Sequence, residues 1–189
     1  SAFRNAKNGQ TFADDIEKQF GFATHIIDGK EEARLIYKGI RASVSIGAEN
    51  VMILDIGGGS NEFIICNNEG ILWKHSYDLG MARIIEKFNL SDPIKKEEIV
   101  LLEEFFESEL ASLTKKVEEL TPQKLIGASG SFDTLAAMAS HQFNMDIAGR
   151  SSVKLSLPQY KKIHQTLLAS ASAERIEMPG MEPVRVEMI

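Results

Sequence analysis

The 189-residue chain has a single cysteine, Cys66, so no internal disulfide framework can hold it together, and a reducing compartment suits it. No apolar run approaches the roughly 20 residues needed to span a bilayer, so no membrane partner is expected. Residues Ser1 to Lys7 lack the apolar core of a secretory signal, and the expectation is a cytoplasmic protein. Positive charge is scarce as well: 21 Lys and Arg against 27 Asp and Glu leave a net charge of −6. Nucleic-acid-binding surfaces are usually basic, so nucleic acid is not an expected partner. An acidic protein can still hold a polyanion, but only through local cations, a metal ion or backbone N–H groups aimed at it. What is present, 43% hydrophobic and 25% charged residues, is ordinary globular composition. The length allows one sizeable core, alone or with a small appended lobe. There is no internal repeat and no low-complexity segment.

Hydrophobic periodicity predicts a mixed α/β fold. Phe12, Ile16 and Phe20 repeat at helical spacing over 11–20, with Gly21 placed to end the helix. Residues 22–27 read as a short strand. After Asp28-Gly29 a second helix runs from about Glu31, with Ala33, Ile36, Ile40 and Val44 on its apolar face. Val51–Ile56 reads as a buried strand, 62–66 and 71–75 as the strands of two hairpins, and 124–126 as a further short strand. Two antiparallel hairpins after a buried strand suit a mixed sheet rather than a parallel one. Helices are predicted over 79–88, over one long stretch bearing Ile99, Leu102, Phe106, Leu110, Leu113 and Val117, over 132–139, and from about Pro158 to Ser170 with Ser156 as its cap. Residues 153–156 read as a strand.

Three segments carry chemistry. In Asp55-Ile56-Gly57-Gly58-Gly59-Ser60-Asn61-Glu62 an aspartate ends a buried strand, three glycines and a serine turn the chain, and a glutamate opens the next strand. Glycines let backbone N–H groups approach a phosphate and converge on it, and Ser60 adds a hydroxyl donor. Two carboxylates beside such a cradle would repel an anion unless a hard cation sat between them, which makes Mg²⁺ the natural third party. The alternative is a tight glycine turn flanked by two solvated acids. In Asp28-Gly29-Lys30-Glu31-Glu32-Ala33-Arg34, two glutamates at a helix start either complement the helix dipole or supply a carboxylate that orients an attacking water. In Gly127-Ala128-Ser129-Gly130-Ser131, between a strand and a helix, amides at the helix start form an anion site or merely a serine-capped connection. Lys7, Arg83, Arg150 and Lys154 either extend a positive track for a longer anion or are solvated surface.

These segments, in order with the Ser1–Gly9 stretch, Leu79-Gly80-Met81-Ala82-Arg83 and Met178-Pro179-Gly180-Met181-Glu182-Pro183-Val184-Arg185, resemble the Ppx/GppA family of exopolyphosphatases and guanosine pentaphosphate phosphohydrolases. The resemblance implies the actin-like ATPase (ribonuclease H-like) fold, with substrate in a cleft between two lobes. It implies that Glu32 is the catalytic carboxylate activating water. Asp55 and Glu62 would manage that water and bind Mg²⁺, with Mn²⁺ as a substitute and a monovalent cation as a further ligand. Gly57, Gly58, Gly59 and Ser60 would form the phosphate loop, Arg4 a cationic phosphate contact, and Ser129, Gly130 and Ser131 a later loop at the same site. The implied substrates are inorganic polyphosphate or guanosine pentaphosphate, and the implied assembly is a homodimer. Asn61 stands where the family commonly has Thr, and Glu187 where it often has Asp. Nothing before Arg4 supplies the family's first phosphate loop, of the Asp-x-Gly-Ser/Thr type, and the chain stops short of a final strand and helix. The expectation is therefore a fragment: residues 1–30 as the remainder of the first lobe and the crossover, and 31–189 as the second lobe. Two other readings are a non-catalytic sensor of guanosine tetra- or pentaphosphate and another ATPase or kinase of the same fold.

Overall fold

The computed structural model describes residues 2–188, so Ser1 and Ile189, the outer ends of the two expected lobes, lie outside it. Helices α1 (Ala2–Asn5) and α2 (Gly9–Phe20) come first, and Gly21 closes α2 in the left-handed conformation at φ 72°. The predicted strand over 22–27 does not form. That stretch is irregular, its Ile27 carbonyl taken by the Arg4 guanidinium rather than by a neighbouring strand. Helix α3 (Gly29–Ser43) starts at Asp28, whose carboxylate accepts from the Glu31 N–H at 2.7 Å and satisfies a donor with no partner inside the helix. Its buried residues are Ala33 and Tyr37, flanked by Ile36 and Ile40, while Val44 lies beyond the helix as its C-cap. Tyr37 belongs to the apolar face that periodicity predicts, although its hydroxyl hid it from a purely aliphatic pattern.

The sheet is mixed, as the hairpins require. Strands β1 (Val51–Ile56), β2 (Asn61–Cys66), β3 (Ile71–Tyr77) and β4 (Lys124–Ala128) lie in the order β3-β2-β1-β4, with β1 and β4 parallel and the other pairs antiparallel. Side chains alternate between faces along each strand. Val51, Ile53, Ile64 and Cys66 accordingly face α3, whereas Met52, Leu54, Phe63 and Trp73 pack toward the opposite layer. That layer consists of α4 (Met81–Phe88), α5 (Lys96–Glu109) and α6 (Ala111–Leu120). The single long helix expected there is two helices, broken at Leu110, where ψ is 11°. The break leaves the apolar stripe intact, since Phe106, Leu110, Leu113 and Val117 all reach the same core.

After β4 the chain forms α7 (Gly130–Phe143), α8 (Leu157–Ala169), the short α9 (Ser172–Arg175) and a 3₁₀ turn, Pro183–Arg185. The strand expected at 153–156 is absent; Leu155 instead packs against the core formed by Met138, Ile163, Leu167 and Met181. Ser156 caps α8 in a reciprocal box with Gln159, as predicted. Gly180, at φ 90°, lets the C-terminal segment lie directly on the α7 backbone, where a Cβ would come within 2.5 Å of the Met138 nitrogen. The functional consequence of this topology is convergence. The C-terminal ends of the parallel strands β1 and β4 deliver both glycine-containing loops to one edge, the usual place for ligands in sheets of this kind.

Candidate functional site

Strand register assembles the acids. Asp55 and Glu62 are direct cross-strand partners, Ala128 flanks Asp55 on β4, and Ser76 flanks Glu62 on β3. By the two-residue alternation this rung shares the α3 face with Ile53 and Ile64, so both carboxylates point toward the start of α3. Opposed like charges on adjacent strands are destabilising, and they persist only where something offsets them. Glu62 is 2% exposed. Burial pushes its carboxyl above the ordinary range, the hydroxyls of Ser76 and Ser60 pull the other way, and the charges of Glu32 and Asp55 add to the upward push. Burial also raises Asp55; Ser129 opposes that and Glu32 reinforces it. Ser76, which donates to Glu62 Oε1 at 2.7 Å, went unnoticed in the sequence. A serine in a strand gives no signal until the register is known.

The two glutamates of α3 separate cleanly. Glu31 is held by Arg34, with guanidinium contacts of 2.6 and 2.5 Å that keep its carboxyl below the usual range, and it serves the helix surface. Glu32 is a third exposed, near enough to Asp55 and Glu62 to influence both, and paired with Arg4 at 3.0 Å. Arg4 and Glu32 were expected in separate roles, and the structure brings them into contact. The same Arg4 nitrogen reaches the Ile27 carbonyl at 3.3 Å. Gly29 lets the start of α3 lie against β3, because a Cβ there would lie 2.6 Å from that of Ser76. A cavity of about 180 Å³, lined by Phe3, Arg4, Phe12, Ile27 and Glu32 among others, opens beside the pair.

The glycine loop faces the same edge. Its carbonyls are occupied: Gly57 O accepts from Met81 N–H at 3.1 Å and Gly58 O from Ala82 N–H at 2.9 Å. Gly80 permits this docking, since a Cβ there would come 2.4 Å from the Gly58 and Gly59 backbone. The N–H groups of Gly58, Gly59 and Ser60 have no protein acceptor among the described residues, and Gly58 is exposed. Just after the adjoining strand β4, Ser129 adopts φ 72° and ψ 175°, a conformation nearly confined to glycine, and its hydroxyl donates to the Ile56 carbonyl at 3.0 Å. Strain of this kind costs about 1–3 kcal/mol and concentrates at binding sites. The Gly130 and Ser131 N–H groups then open α7 without protein acceptors among the described residues. Arg185, a residue to which the sequence assigned no role, lies against Gly130 so closely that a Cβ there would meet Nη2 at 1.9 Å; its buried Nε has no protein partner.

Every expected site residue therefore borders one region: Arg4 and Glu32 from one side, Asp55 and Glu62 from the sheet, and the loops bearing Gly57–Ser60 and Ser129–Ser131 from the strand ends. Among the described residues no three His, Cys, Asp or Glu side chains stand together at metal-binding spacing. Asp55 and Glu62 alone would supply protein ligands to a cation, leaving the rest to water and phosphate, the usual pattern for Mg²⁺. The oxygen-only donors and the opposed charges fit that ion. Among the described residues no helix is long and apolar enough to cross a membrane. Of the four basic residues considered for a positive track, Arg83 bonds the Gly59 carbonyl and Arg150 approaches Asp146 at 3.9 Å.

Comparison with known proteins places this geometry. The chain is 38% identical to an exopolyphosphatase from Cytophaga hutchinsonii whose crystal structure superposes with a TM-score of 0.95 over all of this chain and 61% of that one. A Ppx/GppA family member from Aquifex aeolicus superposes at 0.78 with 26% identity, over 99% of this chain and 60% of its own. Among curated proteins it is 25% identical to exopolyphosphatase 2 of Mycobacterium tuberculosis, over 89% of this chain and 53% of that protein. It is 28% identical, over its whole length, to 28% of a bifunctional 3-dehydroquinate synthase/phosphatase from Fusobacterium nucleatum. The chain thus spans about half or less of these curated relatives and three fifths of the solved ones. The sheet order, its helical layers and these likenesses establish the actin-like ATPase fold, and a family model matching residues 1–189 shows that the chain belongs to the Ppx/GppA phosphatase family.

Proposed function

We propose that this chain contributes one wall of the active site of an exopolyphosphatase, an enzyme that hydrolyses the terminal phosphoanhydride bond of inorganic polyphosphate. The observation that carries the reading is the juxtaposition of Glu32 and the Asp55–Glu62 pair with a loop whose Gly58, Gly59 and Ser60 N–H groups have no protein acceptor among the described residues. The terminal phosphate sits against the Gly58, Gly59 and Ser60 amides, with the Ser129–Ser131 loop on its flank. Arg4 leaves Glu32 for a phosphate oxygen when the anion enters. Glu32, so released, accepts a hydrogen bond from a water and aims it at the terminal phosphorus. A water oxygen–phosphorus bond forms as the bridging P–O bond breaks, the water's proton passes to Glu32, and the shortened chain leaves with the bridging oxygen. A loose transition state asks little of its base, so a carboxylate suffices if it is well placed. Asp55 and Glu62 would hold Mg²⁺, or Mn²⁺ in its place, which when bound supplies charge neutralisation at the phosphate oxygens.

The same terminal group occurs in guanosine pentaphosphate; likeness to two exopolyphosphatases is what favours polyphosphate as the substrate in this reading. Phosphate release from long-chain polyphosphate and from guanosine pentaphosphate tests it, using the full-length protein and its Glu32→Ala variant. Removal of a positioned base typically costs about 10²–10⁴ in rate, and that loss is expected in kcat. Chelation of divalent cations is expected to abolish release, with recovery on adding back Mg²⁺ or Mn²⁺. Binding of guanosine pentaphosphate with no release from either substrate would favour the sensor reading instead.

A further inference from the structure

A loop containing three glycines is supple in isolation, and an amide cradle is effective only if its N–H groups already point outward before the anion arrives. Each peptide unit is planar, with C=O and the following N–H directed oppositely. Fixing the carbonyls of Gly57, Gly58 and Gly59 therefore fixes the N–H groups of Gly58, Gly59 and Ser60. Those are the three N–H groups of this loop that lack a protein acceptor among the described residues. Two of the carbonyls are held by the first amides of α4, which have no helical partners of their own. The third is held by a side chain: Arg83 Nε donates to Gly59 O at 2.8 Å. Its guanidinium is steadied in turn by Asp78, at 3.3 Å from Nη2.

We propose that Arg83 is a positioning residue of the phosphate loop, whose Nε–H, by holding the Gly59 carbonyl, aims the Ser60 N–H at the substrate phosphate. The inference rests on the phosphatase reading of the site. It differs from a role in a positive track, because the atom that matters is a donor at one fixed point on the side chain and not the charge.

Two substitutions separate the roles. Arg83→Gln removes the charge but carries an amide nitrogen at the same number of bonds from the backbone as Nε. Arg83→Lys keeps the charge but places its nitrogen one atom further out. In the full-length enzyme, Arg83→Lys and Arg83→Ala are expected to lower kcat on polyphosphate about ten-fold, the value of one hydrogen bond, with a smaller change in KM. Arg83→Gln is expected to restore most of that loss. The Ser60 amide resonance in a ¹⁵N-correlated spectrum should move in the Lys and Ala variants and stay near its wild-type position in the Gln variant. A Lys variant that matches wild type while the Gln variant fails would overturn the proposal, as would an unmoved Ser60 resonance in all three. If the wild-type protein releases no phosphate, the phosphatase reading fails, and the Ser60 resonance still decides the positioning role.

Discussion

Glu62 occupies a position that a stability argument alone would not choose. It is buried, it opposes Asp55 across the β1–β2 ladder, and it depends on the Ser60 and Ser76 hydroxyls for relief. Because burial raises both carboxyls, each binds its proton more tightly in the folded state than in the unfolded chain. Their contribution therefore lowers stability as pH rises through the interval above the ordinary carboxylate range. Glu31, Asp92 and Glu98 have lowered values and act in the opposite sense, losing stability only as pH falls below that range. Glu62→Gln should accordingly raise the melting temperature at pH 7, by about 2–4 °C for each kcal/mol gained, and flatten its rise between pH 7 and 5. Phosphate release by the same variant is expected to fall sharply. Differential scanning calorimetry across pH and a release assay check the two halves. Glu31→Ala, which disturbs only an exposed pair with Arg34, is expected to leave kcat near wild type, in contrast to Glu32→Ala. Sequence alone named Glu32, Asp55 and Glu62, but it could not show that Glu31 is already engaged or that Ser76 supports Glu62. Both facts depend on which face a side chain occupies.

At the level of elements, α4 is more than a cover for the sheet. Its first turn grips the glycine loop, and Gly80 is the residue that allows so close an approach. Gly80→Ala would drive a methyl group into backbone rather than into a yielding side chain. The expected outcome is a loss of about 1–3 kcal/mol in a denaturant titration and a weaker apparent affinity for polyphosphate, since the loop must shift. Asp28→Ala removes the cap of α3 and should cost about 1 kcal/mol, with some loss of activity because Glu32 rides on that first turn. The elements β1, β2, β3, α2, α4 and α8 were legible from their apolar spacing, although in α2 the residues that gave the signal, Phe12 and Phe20, stay exposed and Ala13 is the buried apolar side chain. The failures have a common cause. Residues 22–27 and 153–156 have strand-like composition, but a strand needs a neighbour, and pairing is decided at long range. The break at Leu110 is invisible for a different reason: no Gly or Pro marks it, and the apolar stripe runs through it unchanged.

For the molecule as a whole, the negative net charge and the proposed polyanionic substrate are reconciled by where the attraction would reside. The groups that the proposed site offers to phosphate are amides, hydroxyls and Arg4, not a broad basic field. Raising ionic strength from 50 to 200 mM is thus expected to change KM for tripolyphosphate only modestly, in contrast to the steep dependence of a surface that works through net charge. Steady-state kinetics over a salt series checks this. Phe3, Phe12, Phe20 and Phe22 are each about half exposed or more, and the first two stack at 5.2 Å. Apolar patches of that sort promote self-association. A Phe20→Ser, Phe22→Ser double variant of this chain should stay monodisperse at concentrations where the parent scatters light. The β1–β2 hairpin has a consequence of another kind, for descent rather than for catalysis. Since one hairpin carries both acids and the loop between them, gain or loss of a single residue between Asp55 and Glu62 would either turn Glu62 to the wrong side of the sheet, among the phenylalanines, or reshape the loop that presents the amides. Lineages bearing this site should vary freely in the length of the α5–α6 region and hardly at all within those few residues.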